Sequence, residues 1–252
     1  TITSGVTIEM ECVAGEPYPA GKDPNRIEII AYGGLQVDGA HFTGSIPSSG
    51  CWYGLELIGL GVEYSIRNST IDSGVVGIYI SSNSYAEITG NTIMNMRGVD
   101  GAAGANPGDD GKDGEAGAGI WLAYVYMPPP LNLASFTTAL TSTAILSNTI
   151  TVIGGGTGGA GVPGDVGQPG GSGGRGGDAY GIYREFTSAS HTIANNEITD
   201  IIGGMGGTGA DGGAGGNAPD ASVPGGPGGA GGNGGDGGSA TGIYLNYRLA
   251  PV

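Results

Sequence analysis

Glycine occupies every third position through residues 203–239, and this spacing limits the possible folds more than any other feature of the chain. The glycines of this series are Gly203, Gly206, Gly209, Gly212 and Gly215, and, after a break over 217–224, Gly225, Gly228, Gly231, Gly234 and Gly237. Three residues per turn is the repeat of the polyproline II helix, which has no internal hydrogen bonds. Its backbone groups must bond to neighbouring segments or to water. The pattern therefore predicts an outgoing and a returning helix of the polyglycine II type, packed through their backbones.

Two shorter stretches, 98–118 and 154–178, repeat the same period around a proline-containing apex. A flexible low-complexity linker is the alternative interpretation of all three stretches. The strict period of three favours ordered helices, because a mobile tether has no need of a register. We therefore expect six short polyglycine II helices, two in each stretch.

Two short motifs recur between the glycine-rich stretches. One is a glycine followed by an apolar, an aromatic and an apolar residue, and the other is Ile-x-x-Asn-x-Ile, about ten residues later. Copies of the first begin at Gly54, Gly77, Gly119, Gly181 and Gly242, and copies of the second begin at Ile66, Ile88, Ile145 and Ile193. Three copies depart at one position: Glu56 replaces the aromatic residue, Arg184 replaces the last apolar residue, and Ser69 replaces the asparagine. Alternation of apolar and polar residues is typical of strands, and the 23-residue spacing from Leu55 to Ile78 is typical of a solenoid coil.

These motifs resemble those of the right-handed parallel β-helix, the pectate-lyase-like fold. The resemblance covers roughly residues 25–98, 118–153, 179–203 and 240–248. In such a coil we expect the isoleucines of both motifs to point inward and to stack from coil to coil; the examples are Ile78, Ile80, Ile88 and Ile93. We expect the motif asparagines to form a structural ladder at one corner, because asparagine tolerates tight turns and bonds to backbone. They are Asn91, Asn148 and Asn196.

All three glycine-rich stretches interrupt the same connection. From the last isoleucine of one coil to the next Gly-Ile motif, the distance is 7 residues between Ile71 and Ile78 and grows to 27, 32 and 45 at the three stretches. We therefore predict an all-β fold: one right-handed parallel β-helix domain over 1–252, with hairpin inserts at 98–118, 154–178 and 203–239. The inserts would form a lateral bundle at one corner. In repeat pattern they resemble snow flea antifreeze proteins and the glycine-rich adhesins of phage tail fibres.

The N-terminal part is less regular and predicts strands over 6–12, 26–32, 35–37 and 40–42, with a loop over 16–24. One further insertion, the apolar and proline-rich stretch 127–140, predicts either a loop on the solenoid flank or a contact patch for a neighbouring subunit. Cys12 and Cys51 either form a disulfide, worth roughly 4 kcal/mol for a loop of about 40 residues, or remain buried thiols.

Composition argues against several functions. The net charge of -15, with 8 Lys and Arg against 23 Asp and Glu, is unfavourable for nucleic acid, which needs clustered positive charge. No apolar run approaches the ~20 residues of a membrane span. A chain rich in Gly, Thr, Ser and Asn that begins at Thr1 without a signal-like segment fits a mature exported protein or a trimmed one, so an extracellular or cell-surface location is expected.

Candidate chemistry is sparse. Acidic residues of the first insert, Asp109, Asp110, Asp113 and Glu115, partly match a calcium loop, although solvated acids explain them as well. Calcium is accordingly the one candidate cofactor. Basic residues and carboxylates are scattered, and His41 and His191 are isolated, so we expect no enzymatic activity.

The aromatic residues of the first motif would form an outward column, because the flanking aliphatic residues point inward. The column is Tyr79, Trp121, Tyr183 and Tyr244. These rings either pack beneath the glycine bundle or bind sugar.

The leading functional expectation is a structural protein that assembles with itself. Both ends of a β-helix expose unpaired strand backbone, and residues 244–252 (YLNYRLAPV) contain no obvious polar cap. Head-to-tail contacts of this kind generate filaments, so a self-assembling fibre subunit is predicted. The alternatives are an adhesin or fibre tip that binds a cell-surface or glycan receptor through the glycine arms, and an ice-binding protein.

Overall fold

The computed structural model describes residues 1–10, 27–31, 34–44, 52–57, 63–80, 85–122, 143–185, 191–216 and 226–246. Within these ranges the regular elements are all β-strands. They are β1 (Thr7–Met10), β2 (Ile27–Ala31), β3 (Leu35–Asp38), β4 (His41–Gly44), β5 (Trp52–Leu57), β6 (Glu63–Arg67), β7 (Thr70–Gly74), β8 (Val76–Ile80), β9 (Tyr85–Thr89), β10 (Thr92–Arg97), β11 (Gly117–Leu122), β12 (Thr143–Leu146), β13 (Thr149–Gly154), β14 (Ala179–Glu185), β15 (His191–Ala194), β16 (Glu197–Ile198), β17 (Ile201–Ile202) and β18 (Ala240–Asn246).

The strands form three parallel sheets. The seven-stranded sheet has the order β1-β4-β7-β10-β13-β16, with β17 also paired to β13; the six-stranded sheet is β18-β14-β11-β8-β5-β2; and the five-stranded sheet is β15-β12-β9-β6-β3. Successive strands thus enter different sheets, and each strand pairs with its counterparts one repeat earlier and one repeat later. This confirms the expected all-β fold, and the arrangement is consistent with a β-helix-like solenoid.

The repeated isoleucines lie in register across each sheet. Ile78 pairs with Ile120, which pairs with Ile182, and the column ends at Ile243. The first three side chains are fully buried in one continuous core. The inward positions Ile78, Ile80, Ile88 and Ile93 are therefore confirmed. Alternating strands bury these branched side chains coil by coil, and removal of apolar surface from water provides the main stabilisation.

The glycine of the first motif is required by the isoleucine that ends the second. A Cβ added to Gly77 would lie 2.6 Å from Cγ2 of Ile93, and one added to Gly119 would lie 2.5 Å from Cγ2 of Ile150. Gly181 has the same relation to Ile198. Each glycine thus leaves room for one isoleucine methyl group and for the backbone oxygen of the motif glycine in the next coil.

The turn before each asparagine position has left-handed backbone. One residue ahead of it, Asn68, Gly90, Ser147 and Asn195 have φ between 50° and 67°. Glycine and asparagine adopt this conformation at low cost, and the turn sequences supply both.

The motif asparagines are hydrogen-bonded one to the next. The Oδ1 of Asn148 accepts the backbone N–H and the side-chain amide of Asn91, and Asn196 does the same for Asn148. Each Nδ2 also donates to a strand carbonyl of the preceding repeat, as from Asn148 to Ile88. Asn91 and Asn148 are about 1% exposed, so these bonds satisfy groups that water does not reach.

The N-terminal strands β1 to β4 overlap the four predicted there. The predicted ends at residues 11–12, 26 and 32 lie outside the described residues, and the other ends differ by at most two residues. The predicted loop 16–24, the insertion 127–140 and both cysteines, Cys12 and Cys51, lie outside the described residues. No helix in the described ranges is long and apolar enough to cross a membrane.

Candidate functional site

The three glycine-rich inserts all connect the seven-stranded sheet to the six-stranded sheet. They follow β10, β13 and β17 and return into β11, β14 and β18. Each insert consists of two extended segments, here called arms. In chain order they are arm 1 (98–105), arm 2 (108–117), arm 3 (154–164), arm 4 (168–178), arm 5 (203–216) and arm 6 (226–239). Because the parallel sheets stack the inserts one above another, the six arms lie side by side.

In the first two inserts, the first N–H of a triplet bonds to the next insert. Gly101 donates to Thr157, and Gly158 donates in turn to Met205, so the outgoing arms 1, 3 and 5 are joined in one row. The returning arms 2, 4 and 6 form a second row, in which Gly114 donates to Arg175. The N···O distances are 2.7 to 3.1 Å in both rows.

The second N–H of each triplet joins the two rows. Gly174 of arm 4 donates to Gly159 of arm 3 within one insert, and Gly207 of arm 5 donates to Gly174 across to the next. An inner arm therefore bonds to four others. Within the described arms no backbone–backbone hydrogen bond is internal to an arm, and neighbouring arms supply the backbone partners.

Steric contact explains why two of every three inner residues are glycine. A Cβ on Gly174 would lie 2.0 Å from the carbonyl oxygen of Lys112 in arm 2, and a Cβ on Gly173 would lie 2.0 Å from that of Gly207 in arm 5. Arms 1 and 2 have no earlier insert beside them, and their second triplet positions hold larger residues such as Val99 and Glu115. In the inner arms, glycine stands where another backbone approaches.

Aspartates at the third triplet position bond four of the third-position N–H groups. Oδ1 of Asp100 accepts the N–H of Thr157 at 2.7 Å, and Asp110 and Asp113 accept those of Ser172 and Arg175. Asp178 accepts the N–H of Ser239. Each carboxylate thus links its arm to the next insert through a hydrogen bond.

Asp178 is the centre of a polar group at the base of the bundle. It accepts hydrogen bonds from the Arg175 guanidinium at 2.5 Å and from the Tyr180 hydroxyl at 3.0 Å, besides that from Ser239. Burial alone would raise the pKa of Asp178, but these three donors outweigh it and hold the pKa below its ordinary value. Burial and then the bond to Asp178 raise the pKa of Tyr180, so the phenol stays protonated and donates.

The four acids considered for calcium are placed along arm 2, and three of them have partners of other kinds. Asp110 and Asp113 bond to arm 4 as above, and Asp109 accepts the backbone and side-chain N–H groups of Asn106, which lower its pKa. Glu115 also has a polar or electrostatic partner. Among the described residues, no three His, Cys, Asp or Glu side chains come together as a metal-binding group.

The predicted aromatic column is a run of contacting rings beneath the arms. Its centroid distances are 6.4 Å from Tyr79 to Trp121, 4.4 Å from Trp121 to Tyr183 and 5.2 Å from Tyr183 to Tyr244, with the last pair stacked. Tyr180 lies edge-on to Trp121. Tyr79, Trp121 and Tyr180 pack with Val99 of arm 1 on a small second core. The rings therefore fill the junction between the sheets and the arms.

At the β18 end of the stack, a residue that aligns with the buried isoleucine column is exposed. Ile243 is 45% exposed, whereas its counterparts Ile78, Ile120 and Ile182 are fully buried. Tyr244 and Leu245 beside it are also exposed. This end presents apolar side chains next to an unpaired strand edge, as far as the described residues show.

Comparison with protein-family models, with curated proteins and with solved structures finds no match for this chain. Its function must therefore be inferred from the geometry of the arms, their junction with the sheets and the exposed strand edges.

Sequence reasoning missed the role of the aspartates and the part played by Tyr180. The signal for the aspartates was available: Asp100, Asp110, Asp113 and Asp178 all occupy the third position of their triplets. Tyr180 falls outside the aromatic position of its motif, and only the position of Asp178 two residues earlier marks it.

Proposed function

We propose that this chain is a non-enzymatic structural protein of the cell surface or extracellular space, which stacks head-to-tail into filaments. The sheets would close into a right-handed β-helix, and the six arms would be polyglycine II helices forming a stiff lateral bundle. The period-three bonding between neighbouring arms supports the assignment of the arms.

The observation that carries the filament proposal is the exposure of Ile243, the last residue of the isoleucine column. All three sheets are parallel, so a copy translated along the stack would bring its β2 beside β18 in the same strand direction. Such a contact would cover Ile243, now 45% exposed, and pair the free edge. Because the two surfaces differ, the contact does not close on itself and repeats without limit.

The described ionisable groups support a structural role. Among Asp, Glu, Lys, Arg and His residues whose side chains the structure describes, none is buried. Catalytic acids and bases usually need burial or a close charged partner to shift their pKa toward neutrality. Here the best-connected carboxylate, Asp178, has its pKa shifted downward and bonds to the backbone of arm 6.

Charge placed on the exposed end tests the filament. The wild-type chain should form filaments as its concentration rises, seen by negative-stain microscopy and sedimentation velocity. Ile243→Asp should form no filaments at any concentration, with nearly unchanged thermal unfolding. Val166→Asp is the matched control: Val166 is 68% exposed at the apex of the second insert, so this variant should still assemble. A wild-type chain that forms no filaments at any concentration would remove the proposal.

A receptor-binding fibre tip is the second candidate, favoured by the same apex. The turn is ordered by bonds from Gln168 to Asp165 and from Gly167 to Ala214, yet it presents the largely exposed side chain of Val166. Solvent-exposed apolar residues on a fixed turn suit recognition of a cell-surface or glycan receptor. Asp165→Ala with Val166→Ala should then abolish binding to the target surface and leave assembly intact; unchanged binding would exclude the apex.

A further inference from the structure

The last insert exposes a surface that the other inserts bury, here called the terminal glycine face. It consists of the first triplet positions of arms 5 and 6: Gly203, Gly206, Gly209, Gly212, Gly228, Gly231, Gly234 and Gly237. The equivalent N–H groups of arms 3 and 4, such as those of Gly158 and Gly173, donate to the next insert. Within the described residues, no backbone hydrogen bond uses the eight N–H groups of this face.

Arm 6 holds glycine where its own fold does not require it. A Cβ on Gly231 would find its nearest atom, the oxygen of Ala210, at 3.6 Å, and a Cβ on Gly234 or Gly237 would meet nothing closer than 3.6 Å. These are ordinary van der Waals contacts, and none of these glycines has left-handed backbone. At the opposite end of the bundle, exposed second triplet positions hold larger side chains such as Lys112 and Glu115. Gly231, Gly234 and Gly237 therefore correspond to the inner-arm glycines against which the backbone of another arm packs.

The polar groups of this face also repeat those of the inner layers. The carbonyl groups of Gly232 and Gly235 correspond to that of Gly174, which accepts the N–H of Gly207, but no described backbone N–H reaches them. Asp211 and Asp236 occupy the third triplet position, as Asp113 and Asp178 do. The face thus offers donors, acceptors and carboxylates in the same order that joins one insert to the next.

We propose that the terminal glycine face binds the same face of a second copy of this chain. Ordering a free glycine segment costs about 1–2 kcal/mol per residue, whereas the arms of a second copy are already ordered. The opposite face of the bundle is unsuitable, because Val99, Lys112 and Glu115 hold its backbone away. The terminal face carries both N–H donors and carbonyl acceptors, so two copies are self-complementary about a two-fold axis.

This pairing is distinct from the head-to-tail contact, although both involve the β18 end of the molecule. Face-to-face pairing closes at two copies and leaves two β2 ends free. Head-to-tail stacking could then extend a pair in both directions. The two contacts are separable by mutation, because Ile243→Asp changes the strand edge and leaves the glycines intact.

The test combines Gly231→Ala and Gly234→Ala in the full chain, in an Ile243→Asp background that blocks stacking. The methyl groups fit the single copy, so at concentrations low enough for both proteins to be monomeric the thermal unfolding midpoint should change little. Sedimentation equilibrium should show dimers of the parent and monomers of the glycine double variant. Asn233→Ala, which trims an exposed side chain of the same arm, is the control and should still dimerise.

Hydrogen exchange gives a second readout. The amides of Gly231 and Gly234 should become protected as protein concentration rises, and dimerisation should strengthen with salt, because each face carries Asp211 and Asp236. Three outcomes would overturn the proposal: a parent that stays monomeric, equal dimerisation of the alanine variant, or protection that appears only when a separate glycine-repeat peptide such as residues 155–161 is added.

Discussion

The sheets and the glycine arms satisfy their backbone groups in the same way but pack by opposite means. In the sheets, branched side chains such as Ile120 fill the interior, and the backbone bonds run between repeats. In the arms, the backbone itself fills the interior, and Gly174 leaves no room for even a methyl group. One chain can therefore pack one region through large side chains and another through bare backbone. The second kind of packing requires that the sheets fix where each arm begins and ends.

Shortening a core side chain should have the largest effect. Ile120→Ala removes a fully buried side chain from the middle of the isoleucine column and should lower the free energy of unfolding by about 4 kcal/mol. Chemical denaturation monitored at both the tryptophan fluorescence and the arm amides would measure it. If the arms depend on the sheets, both signals shift together; arms that stay folded after the sheets melt would contradict this.

Enlarging a glycine of an inner arm should destabilise the fold by a comparable amount, through a steric clash instead of a cavity. Gly174→Ala places a methyl carbon 2.0 Å from a backbone oxygen and should cost about 3 kcal/mol through displaced arms. Gly234→Ala is the matched control, because its Cβ would find nothing within 3.4 Å, and it should cost less than about 1 kcal/mol in the monomer. Equal losses in the two variants would mean that conformational entropy, not contact, sets the cost.

Removing one ladder amide tests the corner between the sheets. Asn148→Ala leaves the N–H of Asn91 and the carbonyl of Ile88 buried without their partner and should cost about 2 kcal/mol. Asn196 is half-buried at the end of the ladder, so Asn196→Ala should lower the free energy of unfolding by less. Thermal unfolding of both variants checks the order, and a smaller loss at Asn148 would contradict it.

Acid should weaken the junction through Asp178. Its pKa is lower in the folded chain, so its charge stabilises the fold above the ordinary carboxyl value of about 3.9, and this share is lost as the pH falls through the folded pKa. Asp178→Asn should cost about 0.5–1 kcal/mol near neutral pH, an amount kept small by solvent screening. The wild type and the variant should converge below about pH 4; a gap that widens in acid would refute the assignment.

Relieving backbone strain at one residue of β13 should have the smallest effect, and it should stabilise the fold. Val152 has a φ of 55°, which a β-branched residue adopts only at a cost, while Asn95 occupies the equivalent position one repeat earlier. Val152→Asn should raise stability by about 0.5–1 kcal/mol, or the melting temperature by a few degrees. Thermal unfolding beside Asn95→Val, which should lose a similar amount, would show whether the turn geometry is responsible.

Much of the sheet architecture was predictable from local pattern. The alternation around Ile78 and Ile88 gave strands and inward faces, because a strand determines the orientation of its own side chains. The corner used by all three inserts followed from the spacing between motifs. Strands β3 and β4 lack those motifs and were still predicted to within two residues.

The arrangement of the arms was only partly predictable. Glycine at every third position indicated the register, but it did not reveal that the second glycine faces the preceding insert or that Asp113 bonds to Arg175 across to arm 4. Those contacts depend on which arm lies beside which, a property of the stacked sheets. The free face at Gly231 and Gly234 was not predictable for the same reason, since buried and exposed triplets have the same sequence.

Residue-resolved hydrogen exchange of the monomer tests the bonding of the arms most directly. In arm 3, between two neighbouring inserts, the amides of Gly158 and Gly159 should be protected and that of Ala160 should exchange quickly. In arm 5, at the edge, Gly207 should be protected while Gly206 and Thr208 exchange quickly. The predicted result is two protected amides in the inner triplet 158–160, which no aspartate bonds, and one in the edge triplet 206–208. Uniformly fast exchange through both arms would contradict the account.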